Sequence, residues 1–229
     1  MEKYKVMKVV RETPDVVTLY LADTRGGHAD FVAGQYVTVL FPDLDVPGGK
    51  AYSISSTPSD PHLALTVKKI GVYSTRLHEL REGDELLVSQ PYGFLNPQFS
   101  DPIVAIAGGI GISPLISIIR DTLERDPMRE IQLWYSCRTP ADIAFERKLD
   151  ELASRYEQFR VEYFVTRDDD AGSKYHRGRI DVAKTLRRLK PDPASLYLIC
   201  GRESFAGDIW RALTAAEVMD NKIATETFF

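Results

Sequence analysis

"PIVAIAGGIGISPLISIIRDTLER", residues 102–125, is the stretch on which the fold turns. It opens with an unbroken apolar run, as a strand covered on both faces requires. Gly108, Gly109 and Gly111 follow, and a helical pattern then starts at Pro114. Strand, tight glycine turn and helix in that order make the first half of a βαβ unit. The grammar repeats downstream: strand "IQLWYS", helix "ADIAFERKLDELASRY", strand "VEYFVT", helix "DVAKTLRRL", strand "LYLIC", helix "RESFAGDIWRALTAAEV" and the tail "KIATETFF". Thr139 and Asp142 have capping-box spacing, with Pro140 at the first helical position. Strict alternation predicts a parallel sheet with right-handed crossovers.

Upstream the period changes. "YKVMKVVRE", "VVTLYLAD", "YVTVLF", "AYSISS", "HLALTVKKI" and "DELLVSQ" are short, β-branched and aromatic, and bounded by Gly, Pro and Asp. The one helical candidate is "STRLHELREGD", with Ser74 as its N-cap. Six strands without strand–helix alternation predict a small antiparallel Greek-key β-barrel. The reading is therefore two domains, a barrel over 1–98 and an α/β domain over 99–229, divided near "LNPQFSDP".

Composition narrows the function. A net charge of −4 without a dense Lys/Arg run argues against nucleic acid and anionic membrane as partners. No apolar run approaches a membrane span and the N-terminal stretch has no signal-like apolar region, so a cytoplasmic protein is expected. Cys137 and Cys200 cannot build a disulfide framework or a four-thiolate cluster. His28, His62, His78 and His176 lack metal-ligand spacing, so no metal site is expected.

The glycine loop admits two readings, a structural turn or a cradle for a ligand. Its spacing is G-x-G-x-x-P, not the dinucleotide fingerprint G-x-G-x-x-G. It does lie at a strand's carboxyl end, where open α/β sheets bind ligands. A ribose-gripping acid is absent from the next strand end, "WYSCR"; Ser136 and Arg138 stand there instead. Thr166 and Arg167 follow the third strand, and Arg177 and Arg179 lie in "HRGRI". Each arginine alone reads as a solvated side chain. Together, at one sheet edge, they favour a 2′-phosphate and hence NADP(H) over NAD(H). The Asp168–Asp170 triplet beside Arg167 offsets that charge.

Five motifs together resemble the ferredoxin–NADP(+) reductase superfamily, over nearly the full chain. They are "KAYSISS" (50–56), "GVYS" (71–74), "AGGIGISP" (107–114), "CGRESF" (200–205) and the aromatic end "ETFF" (226–229). The resemblance implies a flavin-binding barrel followed by a nicotinamide-binding domain. Tyr52 is then packed on the flavin ring, with Ser53 directed at the atom that receives hydride. Lys50, Ala51 and Val67 join that site, with backbone around Ser55 and Ser56, and with Gly71, Tyr73 and Ser74 holding the phosphate end. Lys50 stands where the family usually has arginine, and supplies charge without a bidentate fork. FAD is the expected flavin, with FMN the alternative. Phe228 or Phe229 covers the flavin face, and Glu226 assists proton exchange. On the nicotinamide side the resemblance implies Gly109, Gly111, Pro114, Cys200 and Gly201, with Cys200 near the reacting ring; the alternative for Cys200 is a small buried hydrophobe.

Hydride transfer from NAD(P)H to flavin follows, with Ser53, Cys200 and Glu226 around the reacting atoms. The resemblance implies release of electrons to a carrier such as ferredoxin, flavodoxin or an oxygenase component. A reductase that uses free flavin as substrate is the nearest rival. A nonenzymatic interaction subunit built on a decayed reductase fold is the third reading.

Overall fold

The computed structural model describes residues 1–229 except 28, 45, 94, 96–99, 169, 171 and 229. The expected domain boundary at 98/99 and the expected flavin-covering role of Phe229 therefore fall outside the described residues. The first sheet contains β1 (Glu2–Thr13), β2 (Val16–Asp23), β3 (Tyr36–Leu40), β4 (Lys50–Ser53), β5 (Leu63–Lys68) and β6 (Glu85–Val88), in spatial order β4-β3-β6-β1-β2-β5. Every pairing is antiparallel. An Ile54–Leu65 bridge and the Ser55 N–H on the Ala64 carbonyl (2.8 Å) return β4 to β5 and close the barrel. Inward residues such as Leu19, Val37, Val39, Ile54, Leu65 and Val88 are fully buried, as period-2 alternation around a closed sheet demands.

Helix α1 (Val72–Glu79) plugs the barrel through Tyr73 and Leu77. The helix starts earlier than expected. Ser74 is not its N-cap but sits one turn inside, where its hydroxyl accepts the Ile70 and Gly71 N–H groups (2.8 and 2.9 Å). It reaches back to cap the entry, from the opposite side of the first turn.

The second sheet is wholly parallel: β7 (Ile103–Gly108), β8 (Ile131–Cys137), β9 (Phe159–Val165), β10 (Tyr175–Arg177), β11 (Leu196–Arg202) and β12 (Ile223–Phe228), ordered β10-β9-β8-β7-β11-β12. Helices α2 (Ile112–Arg125) and α3 (Glu146–Arg155) build the core on one face. Helices α4 (Val182–Leu189) and α5 (Glu203–Ala215) build it on the other. Strand order reverses between β7 and β11, which opens a crevice at their carboxyl ends.

Three local readings change. The tail is a strand, β12, paired with β11 from Tyr197↔Ile223 to Arg202↔Phe228. Its buried pattern, with only Ile223 fully covered, carries no strand signal; the open edge of β11 supplies the partner. The helix expected from residue 141 begins instead at Glu146. The Thr139–Asp142 pair forms, with Thr139 N and Oγ1 both donating to Asp142 Oδ2 (2.9 and 2.7 Å), but it closes only the 3₁₀ turn Pro140–Asp142. Phe145, at φ 62°, then interrupts the chain before α3. Finally, α2 starts at Ile112, which puts Pro114 inside its first turn rather than at its head. Among the described residues no helix is long and apolar enough to cross a membrane.

Candidate active site

Strand β4 carries the motif that faces the second domain. It pairs with β3 through Tyr36↔Ser53, Val37↔Tyr52, Thr38↔Ala51 and Val39↔Lys50. Lys50 and Ala51 are exposed, Tyr52 is half-buried and Ser53 is buried, so the strand descends from solvent into the gap between domains. Burial raises the Tyr52 phenol well above its ordinary value, which keeps the ring neutral.

A hydrogen bond between residues far apart in sequence spans the gap beside this strand. Ser53 Oγ donates to Glu226 Oε1 at 3.0 Å, and β12 is the element that brings the carboxylate there. Burial raises the Glu226 carboxyl above the usual range, and the Ser53 hydroxyl partly offsets it. A recess of about 640 Å³ opens around this pair, within the range of small-molecule sites. It is lined by Lys50, Ala51, Tyr52, Ser53, Val67, Gly71, Tyr73, Ser74, Glu226 and Phe228, so these residues assigned by resemblance face one space. Tyr36, Thr66, Lys68, Ile70 and Ser113 line it too and were not foreseen. Tyr36 had a signal, because it is the register partner of Ser53.

Ser55 and Ser56 do not line this recess. The Ser55 hydroxyl donates to the Ala64 carbonyl (3.2 Å) and accepts from Thr66 Oγ1 (2.7 Å). The Ser56 hydroxyl accepts from Ala64 N–H (2.9 Å), and its carbonyl accepts from Ser117 Oγ (2.6 Å). Their hydroxyls, with the Ser55 N–H and the Ser56 carbonyl, are engaged in closing the barrel and joining it to α2.

A second recess of about 350 Å³ lies over the crevice where strand order reverses. Gly108, Gly109 and Ile110 form its floor. Gly109 has φ +55° with open space where a side chain would stand, which suits a backbone cradle. Gly111 serves a different end: a Cβ there would lie 2.0 Å from the Cys200 carbonyl oxygen, so the loop can pack on β11 only as glycine. Gly111, Pro114, Cys200 and Gly201 are buried and line neither recess. The Cys200 thiol is wholly buried in the α2-side core, and burial, with the Glu226 charge beside it, pushes it well up. Its position in register with Glu226 makes it a wall behind the carboxylate rather than a surface group.

Arg138, Arg167 and Arg179, from three separate loops, all line the second recess. The first two loops are tied together by Arg167 N–H on the Arg138 carbonyl at 2.8 Å, and the third joins β9 through Gly178 N–H on the Val165 carbonyl at 2.7 Å. Asp168 accepts within its own loop, from the Asp170 N–H (3.0 Å). Arg202 joins the group; it had stood unremarked inside "CGRESF". Asp208 is the counterweight, 3.9 Å from Arg179 and 2.6 Å from Arg211. Phe228, with Lys68, Ile70 and Ile110, lines both recesses and so stands at their junction.

The arrangement fits a flavin and a nicotinamide dinucleotide. The first recess offers a half-buried aromatic wall, the first turn of α1 with its unfilled N–H groups, and the Lys50 cation at its mouth. The second offers a glycine floor and an arginine rim.

The oxidoreductase NAD-binding domain family matches residues 105–210. A flavohemoprotein of Bordetella pertussis is 32% identical over 98% of this chain and 60% of its own length. The glycine betaine monooxygenase reductase subunit of Chromohalobacter salexigens is 33% identical over 86% of this chain and 55% of its own. The chain thus spans a little over half of these relatives. In structure it superposes on the flavohem-like FAD/NAD binding domain of nitric oxide dioxygenase from Vibrio cholerae O1 biovar El Tor with a TM-score of 0.89, at 20% identity, covering 99% of this chain and 98% of that one.

Proposed function

This chain belongs to the ferredoxin–NADP(+) reductase superfamily of oxidoreductases, and from that premise we propose that it carries electrons from NAD(P)H through bound FAD to a separate acceptor protein. The observation that carries the reading is the Ser53–Glu226 hydrogen bond inside the first recess, which Phe228 joins to the second. A bound flavin would supply a hydride acceptor that can then give up its electrons singly. The protein's part is approach and proton control.

Tyr52 offers a flat neutral wall, and the α1 first turn with Lys50 offers positive charge for phosphate. Ser53 and Glu226 hold a proton between Oγ and Oε1, where burial keeps the carboxyl protonated to higher pH than a surface glutamate. Phe228 separates the recesses, so joining them requires its ring to swing aside. Arg138, Arg167, Arg179 and Arg202 favour NADP(H) over NAD(H) by offering a phosphate dianion several charge-assisted donors. A ferredoxin, flavodoxin or oxygenase component is the acceptor in this reading; the likeness to a monooxygenase reductase subunit supports the last.

Absorbance of desalted protein between about 350 and 550 nm tests it, because a retained flavin absorbs there. Retained bands that bleach on anaerobic NADPH addition are expected. Ser53→Ala or Glu226→Gln should keep the bands and slow bleaching by about 10²-fold or more. Equal rates in wild type and both variants would sink the site assignment. One observation favours a second reading, reduction of free flavin: Lys50 is exposed and lacks the fork that would clamp a pyrophosphate. Colourless protein that oxidises NADPH only when flavin is added would select it.

A further inference from the structure

Helix α2 leaves the glycine loop and runs across the barrel, and one stripe of its surface grips it. Ser113, Ser117 and Arg120 are spaced i, i+4, i+7 and so share a face. Ser113 Oγ donates to the Thr66 carbonyl (3.1 Å) and Ser117 Oγ to the Ser56 carbonyl (2.6 Å). Arg120 forks onto Asp60, Nη1 to Oδ2 at 2.7 Å and Nη2 to Oδ1 at 2.8 Å. Glu124, one turn on, accepts from Ser59 Oγ (2.7 Å). The ion pair is mostly covered, with side-chain exposures of 19% and 25%, and its bidentate geometry fixes angle as well as distance.

Both ends of this stripe lead through stiff structure to the reacting groups. On the α2 side, the loop Gly109–Gly111 directly precedes the helix and floors the nucleotide recess. On the barrel side, the gripped segment follows Ser53 by only a few residues, and Thr66 itself lines the flavin recess. The barrel face beneath is locked as well, because Thr66 Oγ1 bonds both Thr18 Oγ1 (2.9 Å) and Ser55 Oγ (2.7 Å). Interfaces between domains of one chain are ordinarily polar and permit relative motion. Here the polar groups are paired in register along a helix, which opposes that motion.

Building on the proposed NAD(P)H-to-flavin reaction, we propose that Arg120 and Asp60, which line neither recess, are positioning residues that set the approach between the nicotinamide floor and the flavin wall. Hydride transfer needs reacting atoms within roughly 3–3.5 Å, and a misplacement of about 1 Å costs on the order of 10²-fold. The brace acts on that distance and leaves each recess intact.

The test separates rate from binding. In anaerobic rapid mixing of holoenzyme with NADPH, Arg120→Ala should lower the limiting rate of flavin reduction by about 10²-fold while the half-saturating NADPH shifts by less than about threefold. Arg120→Lys, which keeps charge but loses the fork, should fall between. The exchanged pair Asp60→Arg with Arg120→Asp should recover at least about tenfold over Arg120→Ala. An unchanged limiting rate, or a loss confined to half-saturation, overturns the proposal. A second readout needs no turnover: spin labels at Lys5→Cys on β1 and Lys148→Cys on α3, both exposed positions, report the interdomain distance while buried Cys137 and Cys200 stay unlabelled. A narrow distribution in the parent that broadens in Arg120→Ala supports the brace, and the same distribution in both overturns it. If the parent protein is not reduced by NADPH at all, the functional reading fails, and the distance measurement still decides the brace.

Discussion

Glu226 shows how one side chain answers to two neighbours. Burial raises its carboxyl and the Ser53 hydroxyl lowers it. A carboxyl raised in the folded state stabilises the fold, relative to a neutral isostere, fully at pH below its unfolded value. That advantage is lost as pH rises through the folded value. The stability of wild type minus that of Glu226→Gln should therefore fall as pH is raised from about 4 toward neutral. In a Ser53→Ala background the fall should move to higher pH, because the hydroxyl that favours the charged form is gone. Chemical denaturation of the four proteins across pH measures both. A flat difference would mean the carboxyl is solvated and free to relax. The Cys200 thiol behind it is buried and lines neither recess, and at this scale it shapes the wall.

At the level of elements, the β7–α2 junction is a tightly constrained turn. Gly111 meets backbone, not a flexible side chain, where a Cβ would be added: the Cys200 carbonyl oxygen and carbon at 2.0 and 2.4 Å. Gly111→Ala must push α2 away from β11, and should cost about 2–3 kcal/mol by overpacking. A urea midpoint that does not move would show that the loop has room to shift. The same displacement would strain the brace on α2, so the variant should also lose reduction rate. β12 makes the complementary point. Its sequence is indistinct, and its register against β11 is what sets Glu226 beside Cys200.

For the whole molecule, the arginines come from the ends of β8, β9 and β11 and from the segment after β10, and act as one rim. Each is exposed, so any one is individually worth little. Their effect is collective. Replacing Arg138 and Arg202 together with alanine should lower the ratio of kcat/KM for NADPH to that for NADH by about 10-fold or more, mainly through NADPH, as expected for loss of two charge-assisted contacts. A ratio that stays constant would assign the rim to something other than a 2′-phosphate.

What the sequence determined by itself was the class of each layer, which its local period carries. Alternation over residues 1–90 dictated a barrel, and unbroken apolar runs punctuated by helices dictated a parallel sheet. Tyr52 and Ser53 stood out because they sit in a motif, and Arg138 and Arg167 because they follow strands, whereas nothing marked Arg202. Tertiary structure alone decided which residues meet. The Ser53–Glu226 bond joins positions 173 residues apart, and Arg120–Asp60 joins positions 60 apart. Neither pair has a spacing that periodicity can detect, since both depend on how the two domains dock. The hydroxyls of Ser55 and Ser56 are likewise engaged by the barrel's closure. A backbone or hydroxyl group is available to a ligand only when no nearer partner satisfies it, and the folded chain decides which partner is nearer.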